Sequence, residues 1–314
     1  MDYKVSVILL TYNPDFQNLK NTINSIIKQE NISVELIIAD DGSEYFPYKE
    51  IENYLNKRRF QDYIIVNNSV NQGTVKNYLS GIMRASGKYI KAISPGDFLY
   101  DTDCLRKMID YMERYAYRLC FGKAIYYCKE ENRYSFISCQ NPVDLKVYQN
   151  RNERKILKNY FVYQDYALGA NFIVEKGLLK NSLEKIEKVV KYAEDTSVLY
   201  MLANGEKIGF YDDYIVWYEY GTGISSNAND KWNRILYNEN QAVYEMVMDN
   251  CVFAQKGYRY NYQAEVIKNR YIKMMRWLMI SPGSIFFWIK RIRVKKNDKQ
   301  IKNISKDILY GIIK

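Results

Sequence analysis

The chain has 314 residues, 47% hydrophobic and 26% charged, a composition that excludes disorder as its overall state and leaves room for one large domain or two modest ones. It has no histidine, and its five cysteines (Cys104, Cys120, Cys128, Cys139 and Cys251) contain no C-x-x-C pair. A zinc site of the usual kind, a Ser-His-Asp triad and a Cys-His dyad are therefore excluded, and acid-base work falls to carboxylates, Tyr or Lys.

The N-terminus, MDYKVSVILL, shows neither the basic flank nor the small-residue cleavage site of a secretory signal, so a cytosolic protein is expected, its cysteines reduced and buried. Val5 to Leu10 is a nearly continuous apolar run ending in Thr11-Tyr12-Asn13-Pro14, which predicts a buried strand delivering a loop. Leu19, Ile23, Ile26 and Ile27 follow with helical spacing, and Asp15 suits the N-cap. Val34 to Ala39 predicts a second strand, stopped by Asp40-Asp41-Gly42-Ser43, then a polar helix to about Lys57 and a third strand at Tyr63 to Val66. Gly73 to Ala85 predicts a helix, and Tyr89 to Ile93 a fourth strand that runs into Ser94-Pro95-Gly96-Asp97. Alternating strands and helices of this length mean βαβ units and a mostly parallel sheet flanked by helices. Ligands bind such sheets beyond the carboxyl ends of the strands, so the loops at Thr11, Asp41 and Ser94 are expected to meet at one crevice.

Further on, Asp101 or Thr102 can cap a helix carrying Leu105, Met108, Ile109 and Met112. Leu119 to Cys128 and Phe172 to Val174 predict strands, with Tyr-rich segments between them that the pattern does not place. Glu194 to Leu202 predicts a helix, Ile208 to Tyr218 one or two strands, and the region after Ser226 is helical in period, with a break at Ser281-Pro282-Gly283.

V-S-V-I-L-L-T-Y-N-P, I-I-A-D-D-G-S, N-Q-G-(x)7-G-I-M-R-A-S-G-K-Y-I and Y-A-E-D-T, in this order, resemble the family 2 glycosyltransferases over about residues 4 to 225. The resemblance implies an α/β GT-A fold, with a catalytic domain over 1–226 (nucleotide-binding half about 1–100, acceptor half about 101–226). It also implies inverting transfer of a sugar from a nucleotide diphospho-sugar. By the same resemblance Asp41 reads the base, a role open to a carboxylate that can accept the N3–H of a pyrimidine. Thr11 and Tyr12 pack around the nucleoside, with Asn13 in the same loop, while Asp40 caps its own loop. Asn71 opens the turn at the rim, and Lys76 stands beside the place of a missing family Arg, where Asn77-Tyr78-Leu79 replaces Ala-Arg-Asn.

The family's D-x-D-D metal loop reads Ser94-Pro95-Gly96-Asp97 here, so only Asp97 remains of its carboxylates. Either Asp97, substrate oxygens and water still hold Mn²⁺ or Mg²⁺ weakly, or the metal is dispensable. Asp195 is the implied catalytic base, since an attacking hydroxyl is helped by a carboxylate that takes its proton. Glu194 beside it also suits a helix N-terminus. Gly169 and Ala170, with Gly221 to Ser225, lie where this family lines the acceptor side and covers the diphosphate.

The net charge of +10 belongs to the C-terminal part: from Cys251 onward 15 Lys and Arg face three Asp and Glu. Met274, Met275, Trp277, Leu278, Ile285 to Ile289 and Ile292 are interleaved there with Lys273, Arg276, Lys290, Arg291, Arg293, Lys295 and Lys296. The apolar stretch Trp277 to Ile289 is only 13 residues, against about 20 for a membrane span. A basic, amphipathic helical region over 227–314 is therefore expected to lie on the inner face of the cell membrane or to pack on the catalytic domain.

The function expected is an inverting glycosyltransferase that uses a UDP-sugar, or a dTDP-sugar given the rhamnosyltransferase-like Thr-Tyr-Asn-Pro. The expected acceptor is a glycan or lipid-linked oligosaccharide in surface polysaccharide synthesis. The alternative is a non-catalytic glycosyltransferase-like subunit that positions a partner enzyme. Nucleic acid is not expected as a partner, because no recognisable reading module carries the basic stripe.

Overall fold

The computed structural model describes residues 4–130, 133–137, 141–222, 230–263, 266–296 and 306–313. Its first part alternates β1 (Val5–Thr11), α1 (Phe16–Ile27), β2 (Val34–Asp40), α2 (Tyr48–Lys57), β3 (Tyr63–Asn67), α3 (Thr74–Arg84) and β4 (Tyr89–Ile93). Every residue of β1 and β2 is buried, because helices cover both faces of the sheet. The period of two then sorts the side chains. Ile8, Leu10, Ile37 and Ala39 join Val75, Tyr78 and Ile82 of α3, and Val7, Leu9, Leu36 and Ile38 join Leu19 and Ile23 of α1 and Ile51 of α2. Asp15 caps α1 as its position predicts, accepting the Asn18 N–H at 2.8 Å.

The chain continues through β5 (Phe98–Leu99), α4 (Cys104–Arg114), β6 (Leu119–Glu130), β7 (Arg133–Ile137), α5 (Leu145–Gln149), α6 (Glu153–Tyr163), β8 (Phe172–Glu175), α7 (Lys176–Ile186), α8 (Ser197–Ala203) and β9 (Ile208–Glu219). One sheet results, in the order β3-β2-β1-β4-β8-β6-β9-β5, with β7 paired to β6. Its first four strands are parallel. The second part is mixed, since β8 runs antiparallel to both β4 and β6 while β6 and β9 are parallel.

Three expectations change. The α4 N-cap is Asp103, not Asp101 or Thr102, because Asp101 accepts the Asp103 N–H at 3.2 Å and closes a turn of its own first. Glu194 to Thr196 is a 3₁₀ turn that precedes α8. The unplaced Tyr-rich segment contains α5 and α6, whose Tyr148, Tyr160 and Tyr163 are core residues that an aliphatic pattern does not register.

The C-terminal region comprises α9 (Asp230–Val247), α10 (Val252–Tyr258), α11 (Arg270–Ile280), α12 (Ser284–Lys296) and α13 (Lys306–Ile313), with the break at Ser281 to Gly283 where expected. It is fastened to the α/β part of the molecule at several points. Val243, Tyr244 and Val247 of α9 enter the main core. Leu309 and Ile312 of α13 join Phe98, Ile125, Tyr127 and Trp217 behind the 94–97 turn, each burial stabilising by roughly 1.5–3 kcal/mol. Asn24 of α1 and Lys28 just after it donate to the Ile312 and Gly311 carbonyls, both at 2.7 Å.

In the α11–α12 pair, Trp277 and Trp288 face inward. The Trp277 indole N–H donates to the Tyr260 carbonyl at 2.7 Å, and the two indoles meet at 5.5 Å. Met279 (81% exposed) and Phe286 (76%) face outward, together with Met275, Ile289 and Ile292. No helix among the described residues is long and apolar enough to cross a membrane.

Candidate active site

A cavity of about 630 Å³ opens at the carboxyl ends of β1, β2 and β4. Thr11, Tyr12, Asp41, Ser94 and Asp97 line one side; Gly169, Ala170, Glu194 and Asp195 line the other. Thr11 and Asp195, 184 positions apart, thus meet at one cavity, as the strand-end argument requires of the loops after β1, β2 and β4. Asn13, Asn71 and Lys76 are not part of the lining. Asn13 has φ +45° and ties two loops together, its N–H donating to the Ser43 hydroxyl at 2.6 Å and its Oδ1 accepting the Glu44 N–H at 3.0 Å. Lys76 is exposed on α3, whereas its neighbour Asn77 reaches the cavity and donates to the Ala39 carbonyl at 2.8 Å.

The two adjacent aspartates have different duties. Asp40 is fully buried and accepts from the Thr11 hydroxyl at 2.8 Å and the Ser43 N–H at 2.8 Å, so it fixes the loops after β1 and β2. Asp41 accepts the N–H of Gln72 at 2.8 Å and of Gly73 at 2.9 Å, one on each oxygen. A carboxylate offers about four lone-pair sites, so Asp41 can accept a ligand N–H as well. Gly42 (φ +73°) makes this approach feasible, since a Cβ there would sit 2.5 Å from the Val70 carbonyl carbon.

At the 94–97 turn the Asp97 N–H donates to the Ser94 carbonyl at 3.0 Å, and the Asp97 carboxylate accepts the Glu219 N–H at 3.0 Å. Burial pushes the Asp97 carboxyl up to about 7, with the Glu219 N–H and the nearby Lys91 ammonium opposing. Among the described residues no group of three or more His, Cys, Asp or Glu could hold a metal by itself. Asp97 is nonetheless a hard oxygen donor facing the cavity, and this fits Mg²⁺ or Mn²⁺ that takes its remaining oxygens from substrate and water. Lys91, fully buried in β4, donates to the Ala170 carbonyl at 2.7 Å and so holds the turn at Gly169 and Ala170 against the sheet.

Asp195 is open to the cavity but walled by protein, and this desolvation raises its carboxyl above the usual aspartate range. Glu194 is raised by burial first and by the Asp195 charge second. A Cβ at Gly169 would lie 3.2 Å from the Asp195 Cβ, so the turn at Gly169 packs directly on the candidate base. Behind them the buried Glu239 of α9 accepts the N–H groups of Lys191 at 3.0 Å, Tyr192 at 3.0 Å and Ala193 at 2.9 Å. Lys191 in turn accepts the Val75 N–H at 3.1 Å. One carboxylate therefore binds the segment leading into Asp195 to α9, and that segment binds the start of α3.

Sequence reasoning missed several lining residues: Tyr160, Tyr166, Glu219, Leu236 and Asn240. For Glu239 a signal exists, because it stands in helical phase with Val243 and Val247, and a carboxylate on a buried stripe needs partners. Of the loop expected over the diphosphate, Gly221 and Thr222 are exposed, and Gly223, Ile224 and Ser225 lie outside the described residues, as does Cys139.

The mostly parallel sheet, with its cavity at the carboxyl ends of the strands, is an α/β fold of the GT-A type. The glycosyl transferase family 2 model matches residues 6–178, and the chain belongs to that family. Two Haemophilus influenzae proteins named as uncharacterized glycosyltransferases are 26% identical over 153 residues, covering 49% of this chain and 60% of that one, and 30% identical over 112 residues, covering 35% and 33%. The chain thus spans less than two thirds of the length of either. The crystal structure of S. aureus TarS superposes with a TM-score of 0.56 at 15% identity, over 88% of this chain and 48% of that one. TarS 1–349 in complex with UDP-GlcNAc gives 0.57 at 16% identity, over 88% and 79%. At such identities the likeness concerns the fold.

Proposed function

We propose that this protein is an inverting glycosyltransferase that moves a sugar from a nucleotide diphospho-sugar, a UDP-sugar by preference over dTDP, to a hydroxyl of a glycan or lipid-linked acceptor in surface polysaccharide synthesis. The observation that carries this reading is the opening of Asp41 and Asp195 into one cavity. Asp41 accepts the N3–H of the pyrimidine, beside Thr11 and Tyr12. The sugar then extends toward Gly169 and Asp195. The acceptor oxygen attacks the anomeric carbon opposite the diphosphate, its proton passing to the Asp195 carboxylate as the carbon–oxygen bond to phosphate breaks and the nucleotide leaves with the electron pair. When bound through Asp97, Mg²⁺ or Mn²⁺ would supply neutralisation of the diphosphate charge. The UDP-GlcNAc complex of TarS supports a nucleotide-sugar donor for this fold.

A thermal-shift panel of UDP, dTDP, GDP and CDP, each with and without Mn²⁺, tests the donor assignment. Stabilisation by UDP or dTDP above GDP and CDP is expected. Stabilisation by no nucleotide would favour the alternative, a non-catalytic subunit that positions a partner enzyme.

We further propose that the outward face of α11 and α12 rests on the anionic inner surface of the cell membrane. Met275, Met279, Phe286, Ile289 and Ile292 are exposed beside Lys273, Arg276 and Arg291, whereas Lys290 is paired with Asp144 at 2.5 Å. This face carries no tryptophan, since both turn inward, so the apolar contact rests on Met, Ile and Phe. Flotation with phosphatidylglycerol vesicles is expected for the wild type and lost in Met279→Glu/Phe286→Glu. Equal flotation of both would reject the membrane face.

A further inference from the structure

Antiparallel pairing of β5 with β9 sets Phe98 opposite Trp217 and Leu99 opposite Val216. Continued by two residues, that register sets Gly96 opposite Glu219. The side chains obey it: a Cβ on Gly96 would lie 2.2 Å from Glu219 Oε2, so the carboxylate occupies the space a side chain at position 96 would need. Gly96 also has φ +99°, a conformation that suits glycine. At the position where the turn carries a glycine, a carboxylate thus enters from across the sheet.

Glu219 is 93% buried by its 7% exposure, yet it lines the cavity. Its carboxylate receives only the Thr222 hydroxyl, at 3.4 Å, among the described residues. Its own N–H donates to the Asp97 carboxylate at 3.0 Å, and both side chains line the cavity, near enough for their charges to interact. The Lys129 ammonium lies near enough to favour its charge but is hydrogen-bonded to Asn18 Oδ1, at 3.3 Å, and a buried carboxylate with so little hydrogen bonding of its own is costly unless a further positive group meets it.

We propose that Glu219 is a metal-ligating residue, supplying from β9 the carboxylate that the 94–97 turn lacks, so that Asp97 and Glu219 together take a Mn²⁺ or Mg²⁺ ion shared with the donor diphosphate. Two carboxylates with phosphate and water oxygens make a donor set suited to a small hard cation. This inference rests on the nucleotide-sugar reading of the cavity and names its cation site.

The test is Mn²⁺ binding in the presence of saturating UDP, followed by the loss of the free-Mn²⁺ electron paramagnetic resonance signal, together with UDP affinity in EDTA by calorimetry. Glu219→Gln is expected to weaken Mn²⁺ by at least about tenfold, the lower end of what even outer-shell partners contribute. In EDTA the same variant should bind UDP more tightly than the wild type, because a negative charge facing the diphosphate is gone. Glu219→Asp, which keeps the charge but withdraws the carboxylate by one methylene, should weaken Mn²⁺ as well. A merely structural Glu219 would weaken UDP in both conditions. Unchanged Mn²⁺ affinity in Glu219→Gln, or UDP binding by the wild type with no Mn²⁺ response, would overturn the metal site alone. Failure of UDP to bind in any condition would overturn the donor reading and the site with it.

Discussion

Asp195→Asn is expected to lower kcat by roughly 10²–10⁴-fold, the usual worth of a positioned general base, while leaving nucleotide-sugar affinity within about twofold. The side chain is open to the cavity and its replacement is isosteric, so folding should be unaffected. The pH dependence carries the same signature. A base works only when ionised, and desolvation raises the Asp195 carboxyl, so kcat/KM should fall as pH drops through a value above the ordinary aspartate value of about 3.9. Turnover measured from pH 4 to 9 checks both points. A variant retaining wild-type kcat would remove Asp195 from the chemistry.

Glu239→Ala is expected to have the second large effect, on stability as well as rate. The substitution leaves the amides of Lys191, Tyr192 and Ala193 without their acceptor, and each unmatched buried group costs about 1–3 kcal/mol. A loss of roughly 3 kcal/mol or more in urea unfolding is expected. Glu239→Gln keeps one carbonyl oxygen as acceptor and should recover part of it. Because the clamped segment leads directly into Asp195, kcat should fall further in Glu239→Gln than UDP affinity does. An unfolding midpoint unchanged in Glu239→Ala would show that the clamp contributes nothing.

The first half of the fold was legible because its strands are continuous apolar runs and each ends in a polar turn. Those turns hold Thr11, Asp41 and Asp97, so the strand-end argument brings them to one crevice, while their roles follow from the family resemblance. The second half hides its logic in tyrosine. Tyr148, Tyr160 and Tyr163 are buried like aliphatic residues but count as polar in a pattern, so α5 and α6 went unplaced and the lining residues Tyr160 and Tyr166 with them.

Glu219 could not be read from the chain, since its significance lies in cross-strand register with Gly96, 123 positions away. The helical period that begins after Ser226 divides the chain there, yet α9 lines the cavity through Leu236 and Asn240 and α13 packs behind the 94–97 turn. Such anchoring depends on which apolar faces meet, and periodicity specifies a face without naming its partner.

The most direct measurement is a crystal structure of Asp195→Asn with an intact UDP-sugar, in which slowed chemistry preserves the donor. The uracil should lie against the Asp41 carboxylate with N3–H donating to it, and the anomeric carbon should face residue 195 across space open to an acceptor. Nucleotide bound away from Asp41, or a sugar directed away from residue 195, would contradict the assignment of this cavity as a transferase site.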